Sequence, residues 1–411
     1  MSYLFWNKKS NIVLCAILTS YFSCVSLCYA ALTPLELSEE AAPRIEAAPG
    51  RTWIKGFNES RDNFAEKYGT RFGFVLNYTQ QTILRGEQDR GRSRGAWYWN
   101  FDVSQELWPG GRVITEFEVD KNKGVDKFIP TYSLFNSNAG ENASLYIPNL
   151  YLEQGCSRDR IFMAAGKLDL SDWFDINDVA NSADEQFLSE VLVNSYTIPF
   201  PSKGIGAMVK FQPYDWLYLQ SGASTANSSS TKTGLSNAFN SAFFINEFGL
   251  SPKIGNLKGN YRLIFYLLHR KLEYITDETQ DKRNQFGFSL SFDQALTERI
   301  TLFLRYGFDD RKINAVAYAW SAGGQITEPI PGRKYDCLGI GVAQNILGRD
   351  FRTFSDPAAT VSRETMIEAY YSFFLNDYLA LTSDLQLVIN PDADKDVDNA
   401  LVAGIRLLLF F

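Results

Sequence analysis

The sequence predicts an all-β fold: a transmembrane antiparallel β-barrel of about 16 strands, with one long loop folded into it. Three observations predict it. From residue 70 onward apolar and polar residues alternate in runs of about 9–11, the length a tilted strand needs to cross a bilayer. The polar file carries charges, with Glu116, Glu118, Lys210, Arg262, Arg305 and Arg406 among them. A wet lumen tolerates such groups and a packed core does not. Finally, tight connections such as 108–111, 212–215 and 375–377 alternate with long ones at 121–145, 166–201, 223–239, 271–284 and 346–364. Short turns at one end and long loops at the other mark a membrane barrel rather than a soluble sandwich.

Residues 1–30 form a leader. Lys8 and Lys9 open it, an apolar stretch from Ile12 follows, and Cys28-Tyr29-Ala30 ends it. That is the layout of a secretory signal peptide cut after Ala30. Polar Thr19, Ser20, Ser23 and Ser26 interrupt the stretch, so it falls short of the roughly 20 apolar residues of a membrane anchor. Residues 31–69 mix Pro34, Pro43 and Pro49 with Glu36, Glu39, Glu40 and Glu46. They read as an extended arm in the periplasm or lumen, ending in a short helix near 53–68. Residues 70–411 are the barrel.

Within the barrel, Phe72, Phe74, Leu76 and Tyr78 share one face of a strand and Arg71, Gly73, Asn77 and Thr79 the other. The same contrast recurs at 96–107, 286–293, 300–309 and 379–389, with Phe303 and Ser383 as exceptions. Sixteen strands begin near Arg71, Ala96, Arg112, Tyr146, Asp159, Lys203, Trp216, Asn240, Lys258, Gln285, Arg299, Asn314, Tyr335, Thr365, Tyr378 and Asn399. An even number lets the barrel close, and it puts every tight turn on the side of the two termini. Trp97, Trp108, Trp216, Tyr218, Tyr378 and Phe411 lie near strand ends and read as interfacial girdles. The last strand ends on Phe411, which looks like a sorting signal read by the barrel-assembly machinery.

The net charge of −7 becomes −9 once Lys8 and Lys9 leave, so nucleic acid is excluded as a partner. Outside the leader only Cys156 and Cys337 remain. They suit either a disulfide or two separate thiols, and neither forms a CxxC metal motif. No Gly-rich phosphate loop appears, so no cofactor is expected. His269 is the single histidine, without a recognisable nucleophile or acid beside it, which leaves little room for an enzyme. A barrel hydrolase built on His269 is the alternative reading from that class.

The loop at 166–201 carries the candidate site. Its Asp169, Asp172, Trp173, Phe174, Asp175 and Asn177 offer carboxylates, an amide and rings. Carboxylates and amides answer hydroxyls, and aromatic faces answer C–H surfaces. Lys167, Lys210, Arg262, Arg305 and Arg406, all placed inward by alternation, supply the opposite wall. Asp169 and Asp172 equally suit turn capping, and Trp173 equally suits a packing peg.

Four stretches resemble the carbohydrate-selective porin family of the OprB type. They are GKLDLSDWFDINDVANSADEQFL at 166–188 with Ile198–Pro201, GIGAMVKFQPYDWLYLQSG at 204–222, IPGRKYDCLGIGVAQ at 330–344, and YLALTSDLQLVINP followed by NALVAGIRLLLFF at the end. The likeness runs from about Trp53 to Phe411. It implies a sixteen-stranded barrel in the outer membrane of a Gram-negative bacterium, commonly trimeric, in contact with lipid and lipopolysaccharide. It also implies passive diffusion of small neutral sugars such as glucose. A porin with little sugar preference, or for another small solute, is the alternative. Cys337 departs from the acidic residue expected there, and residues 31–51 have no clear counterpart.

Overall fold

The computed structural model describes residues 52–411 apart from 87–89, 122–123, 140–141, 158–159, 230, 238–239 and 355–361. The expected signal peptide and the arm up to residue 51 lie outside the described residues.

Helix α1 (Thr52–Tyr68) leads into sixteen strands. They are β1 (Thr70–Arg85), β2 (Ser93–Trp108), β3 (Gly111–Lys121), β4 (Leu150–Cys156), β5 (Ile161–Leu168), β6 (Gly204–Tyr214), β7 (Leu217–Thr225) and β8 (Ala242–Leu250). Then follow β9 (Leu257–Tyr274), β10 (Asp277–Ala295), β11 (Ile300–Phe308), β12 (Val316–Thr327), β13 (Cys337–Leu347), β14 (Arg363–Asn376), β15 (Leu379–Ile389) and β16 (Ala400–Phe410). A two-residue pairing of Lys253–Ile254 with the base of β9 extends the turn before it. Every strand pairs antiparallel with its sequence neighbours, and β1 pairs with β16, Leu76 opposite Leu409. The barrel is therefore closed and has no free edge.

Alternation sets the faces. On β11, Leu302, Leu304 and Tyr306 are exposed on the outside while Phe303, Arg305 and Gly307 are buried inside. Phe303, the exception in the pattern, is apolar yet inward because the lumen is filled there: its ring lies 5.6 Å from Phe187. Ser383, the other exception, is on the outer face. The long connections lie at the end opposite the one where the chain enters and leaves the barrel, and the short turns lie at the latter, except for the tight β9–β10 turn.

The structure corrects some expectations and decides between alternatives left open in others. The connection at 271–284 is not a loop: β9 and β10 run on as a hairpin to a two-residue turn at 275–276, so β10 starts at Asp277 rather than near Gln285. Tyr146 makes one isolated bridge to Glu118, and β4 begins at Leu150. Cys337 is a free thiol, so it does not pair with Cys156. Tyr218 faces inward, donating to Glu247 at 2.6 Å, and is no girdle residue. Helix α1 is not in the lumen. Its Phe57 packs edge-on against Tyr378 and Phe411, and its Phe64 against outward-facing Phe72.

The faces are testable by labelling. Cysteine at Asp102, inward on β2, reacts with a small water-soluble thiol reagent when the barrel is in vesicles. Cysteine at Leu304, 46 % exposed on the outer face, does not, because lipid covers it. The reverse pattern would show that the pairing register is displaced by one residue.

Candidate functional site

The connection between β5 and β6, residues 169–203, folds into the barrel and lies against the inner wall from β5 round to β16. The chain allows this because small residues line that wall. A side chain at Gly341 would meet Leu192 at 2.9 Å and Phe187 at 3.0 Å. One at Gly222 would meet Phe174 at 2.8 Å and Leu170 at 2.9 Å. The loop uses these gaps to bury Phe174, Phe187, Leu188 and Leu192 completely.

Packing alone would leave the loop's peptide groups dry and unpaired, which costs free energy for each one. Buried wall charges answer them. Glu247 of β8 accepts from the Asp175 amide at 2.9 Å. Glu368 of β14 accepts from the Leu188 amide and from the Ser189 amide, the latter at 2.9 Å. Arg305 of β11 donates to the carbonyls of Asp175 and Leu192, both at 3.1 Å. Arg406 of β16 donates to the carbonyls of Ala183 and Gln186. Asp175 completes the arrangement. It adopts a left-handed φ of 62°, its carboxylate accepts from Arg305 Nε at 3.1 Å, and it accepts from the Ser195 amide at 2.6 Å. Asp tolerates that conformation better than most residues, so an ion pair fixes the turn that carries the loop across the lumen.

A second loop, 122–149, was not anticipated as part of the site. It packs on the first: Ser189 Oγ donates to the carbonyls of Ser133 and Leu134, and the Ser137 amide donates to the Leu188 carbonyl. Glu364 of β14 accepts from the amides of Tyr132, Ser133 and Asp392 at 3.1, 2.8 and 2.8 Å. The signal available in the sequence was the length of 122–149, together with Glu364 and Glu368 on one inward file.

The expected site residues separate into three groups. Phe174, Asp175, Asn177, Arg305 and Arg406 are buried and hold loop to wall; Asn177 donates to the Phe292 carbonyl at 3.3 Å. Arg262 is likewise buried, paired with Asp293 at 2.6 Å. None of these presents a surface to a passing solute. Lys167 is a correction: it stands opposite Leu150 and Ile205 on the outward file, and its Nζ donates to the Ile147 carbonyl at 2.7 Å. Asp169, Asp172, Trp173 and Lys210 remain toward the lumen. Asp169 caps a short 3-10 turn, accepting from the Ser171 amide at 3.0 Å, and Asp172 is exposed. Trp173 is half-buried, its ring 5.3 Å from Tyr151 and its carbonyl accepting from Gln220 at 2.7 Å. Lys210 lies over the Tyr218 ring at 4.7 Å.

Both loops lean chiefly on β8–β16, where inward residues such as Ser289, Glu368 and Gln386 are fully covered, and they also reach β1 and β2, where Asn77 donates to Asp184 at 2.8 Å and Tyr98 donates to the same carboxylate. Asn100, Asp102, Glu116 and Glu118, inward on β2 and β3, keep partial exposure. The partly exposed stretch of the lumen, here called the opening, therefore lies along β2 and β3 beside the Asp184 contact. Lys203, at the loop's end, reaches across it to Glu118 at 3.4 Å. Burial lowers the Lys203 pKa, but Glu116, Glu118, Asp169 and Asp172 together outweigh it and hold the ammonium above its ordinary value, so it stays charged. On the long-loop side a cavity of about 570 Å³ meets the loop. It is lined by Asp169, Glu190, Asn194, Tyr196, Phe200 and Asp309, among others. Burial and the nearby Asp126 raise the Glu190 pKa. His269 sits at the far rim with its Nδ1 2.7 Å from Asn284.

The sequence model of the carbohydrate-selective porin, OprB family, matches residues 108–411. The chain belongs to this family. Among curated relatives, it is 25 % identical to Porin B of Pseudomonas aeruginosa over 259 residues, 53 % of this chain and 56 % of that protein. It is 26 % identical to Porin AaxA of Chlamydia felis over 271 residues, 63 % of this chain and 56 % of that protein. The match thus spans little more than half of each relative. These relatives are porins, not enzymes. Among solved structures, the high-pH structure of Pseudomonas putida OprB superposes with a TM-score of 0.77 at 18 % identity, covering 86 % of this chain and 97 % of that one. The outer membrane channel DcaP of Acinetobacter baumannii gives 0.53 at 12 % identity, covering 83 % and 97 %. Both likenesses support the barrel fold.

The clamp predicts a phenotype. Glu368→Ala strips the Leu188 and Ser189 amides of their acceptor, at a cost of about 1–3 kcal/mol for each buried group left unpaired. The barrel still assembles, because its strand pairing is untouched. Single-channel recording then shows a larger, noisier conductance as the loop detaches for part of the time. An unchanged, quiet conductance would show that Glu368 does not hold the loop.

Proposed function

We propose that the chain is an outer-membrane porin that admits small neutral sugars by passive diffusion. The loop at 169–203 and the facing β2–β3 wall would set what passes. The observation that carries this reading is the fixed loop, which faces carboxylates, amides and the Lys203 ammonium beside half-buried Trp173. Such groups exchange hydrogen bonds with sugar hydroxyls, and a ring edge accommodates a C–H face. Weak contacts suit a conducting pore, since a tightly held solute would not leave. Family membership supports the sugar class.

The opening and the wide cavity act in series in this reading. The cavity, within the usual range of roughly 300–1,000 Å³ for small-molecule sites, gathers solute, and the opening admits it. We further propose assembly as a homotrimer, recognition of the C-terminal strand by the barrel-assembly machinery, and embedding among lipid and lipopolysaccharide. A second reading, a channel for a small solute other than sugar, is favoured by the excess of acids over cations at the opening: Asp102, Glu116, Glu118, Asp169 and Asp172 against Lys203.

Swelling of liposomes containing the folded protein separates the two. For a sugar porin, a neutral hexose enters faster than an anionic sugar of similar size and faster than a neutral trisaccharide. Trp173→Ala slows discrimination between neutral hexoses and raises conductance, because the side chain also pins the loop to Tyr151 and its loss loosens that contact. Entry rates that track charge alone, with no response to sugar size or to Trp173→Ala, would favour the second reading and sink the first.

A further inference from the structure

The cavity on the long-loop side has carboxylates in its lining but no lysine, arginine or histidine. Two of its three carboxylates are committed. Asp309 accepts from the Asp310 amide at 2.6 Å, from Gln285 Nε2 at 2.8 Å, and from the Tyr266 hydroxyl and Asn314 Nδ2. Asp169 Oδ1 accepts from the Ser171 amide and hydroxyl at 3.0 and 2.7 Å, and its charge acts on Lys203. Glu190 differs from both. It is half-buried, and among the described residues no hydrogen bond or ion pair reaches its carboxylate. The charge that does act on it is that of Asp126, which is also negative. A carboxylate partly removed from water and set beside a second acid is unfavourable until a cation joins it.

The rings beside Glu190 narrow the class of that cation. Burial and then Glu190 hold the Tyr196 hydroxyl above its ordinary pKa, so ring and carboxylate are neighbours. Tyr196 and Phe200 both line the cavity and are half-buried, Phe200 held by Phe243 with ring centroids 6.0 Å apart. A metal ion would need several oxygens around it, and among the described residues no group of three or more acids, cysteines or histidines is placed to hold one. An ammonium needs only one carboxylate and gains from a ring face. Ring faces also suit a C–H surface, and the half-buried Asn194 amide suits hydroxyls. Asp169 belongs both to the cavity lining and to the acids acting on Lys203. A cation leaving Glu190 therefore meets further carboxylates on its way to the opening, as weak sites in series require.

We propose that the cavity captures amino sugars, with Glu190 taking the ammonium and Tyr196 and Phe200 the face of the sugar ring. The proposal rests on the sugar-porin reading and deepens it. An amino sugar is both a sugar and a cation, so it accounts for the excess of acids without a solute of another class.

Sugar block of ion current through the folded, full-length protein tests it, with liposome swelling by the same protein as a second readout. The probes are glucosamine with its amine protonated, N-acetylglucosamine, glucose and tetramethylammonium. Glucosamine is expected to block at a concentration about tenfold lower than the two neutral sugars, the scale of one charge-assisted hydrogen bond. Glu190→Gln, which keeps the shape and removes the charge, is expected to bring that ratio close to one. Equal block by glucosamine and glucose in the wild type, or a ratio unmoved by Glu190→Gln, would overturn the proposal. Block by tetramethylammonium as strong as that by glucosamine would overturn the sugar assignment in favour of a site for any organic cation. Swelling keeps the two readings apart. If glucose enters while the block ratio is one, the sugar porin stands and the capture site falls; if neither sugar enters, both fall.

Discussion

The structure depends on charges buried in the barrel wall that hydrogen-bond to the backbone of the in-folded loops. A barrel of sixteen strands closes around a space too wide to fill with its own side chains. Something must occupy part of that space, and irregular backbone cannot do so without partners for its amides and carbonyls. Glu247, Glu364 and Glu368 supply acceptors; Arg305 and Arg406 supply donors. A charged group so placed would be costly in isolation. Here Glu364, Glu368, Arg305 and Arg406 each meet two or more peptide groups, Glu247 meets one together with the Tyr218 and Gln220 side chains, and Arg305 is also paired with Asp175.

This arrangement divides the lumen into two sides with different chemistry. Against β8–β16 the loops are packed like a protein core, with Phe187 edge-on to Tyr370 at 5.0 Å and tilted against Phe303. Toward β2–β3 the charges remain partly wet. Arg305 and Arg406 therefore do not line the opening as a ladder of free cations. They position a loop whose outer edge, with Asp169, Asp172 and Lys203, meets the solute in the proposed reading. A position fixed by several hydrogen bonds gives an opening of defined size, whereas one fixed by apolar contact alone would drift.

Much of the barrel was legible in the sequence because one-sided burial writes a period of two into each strand. The contrast between Leu304 and Arg305, or between Leu385 and Gln386, leaves no choice of face. Where that contrast fades the reading failed. Around Lys167 the run Met163-Ala164-Ala165-Gly166 has no wet side, so nothing set its parity, and pairing with Ile205 turned it outward. Leu217-Tyr218-Leu219 is apolar throughout, and only Glu247 across the sheet shows that Tyr218 faces inward. The long loop was legible by its length and by family resemblance. Its contacts were not, because Asp175 and Arg305 are separated by 130 positions and Glu368 meets the Leu188 amide across 180.

The central claim is that the loop rests inside the barrel against the inner wall, β10 included, in the conducting state. A disulfide between Ser195→Cys on the loop and Ser289→Cys on β10 tests it most directly, since those hydroxyl oxygens are 2.7 Å apart. The account predicts that the bond forms on mild oxidation and leaves single-channel conductance at its reduced value, because it fastens the loop where it already lies. A bond that fails to form, or one that closes an otherwise wider channel, would contradict it.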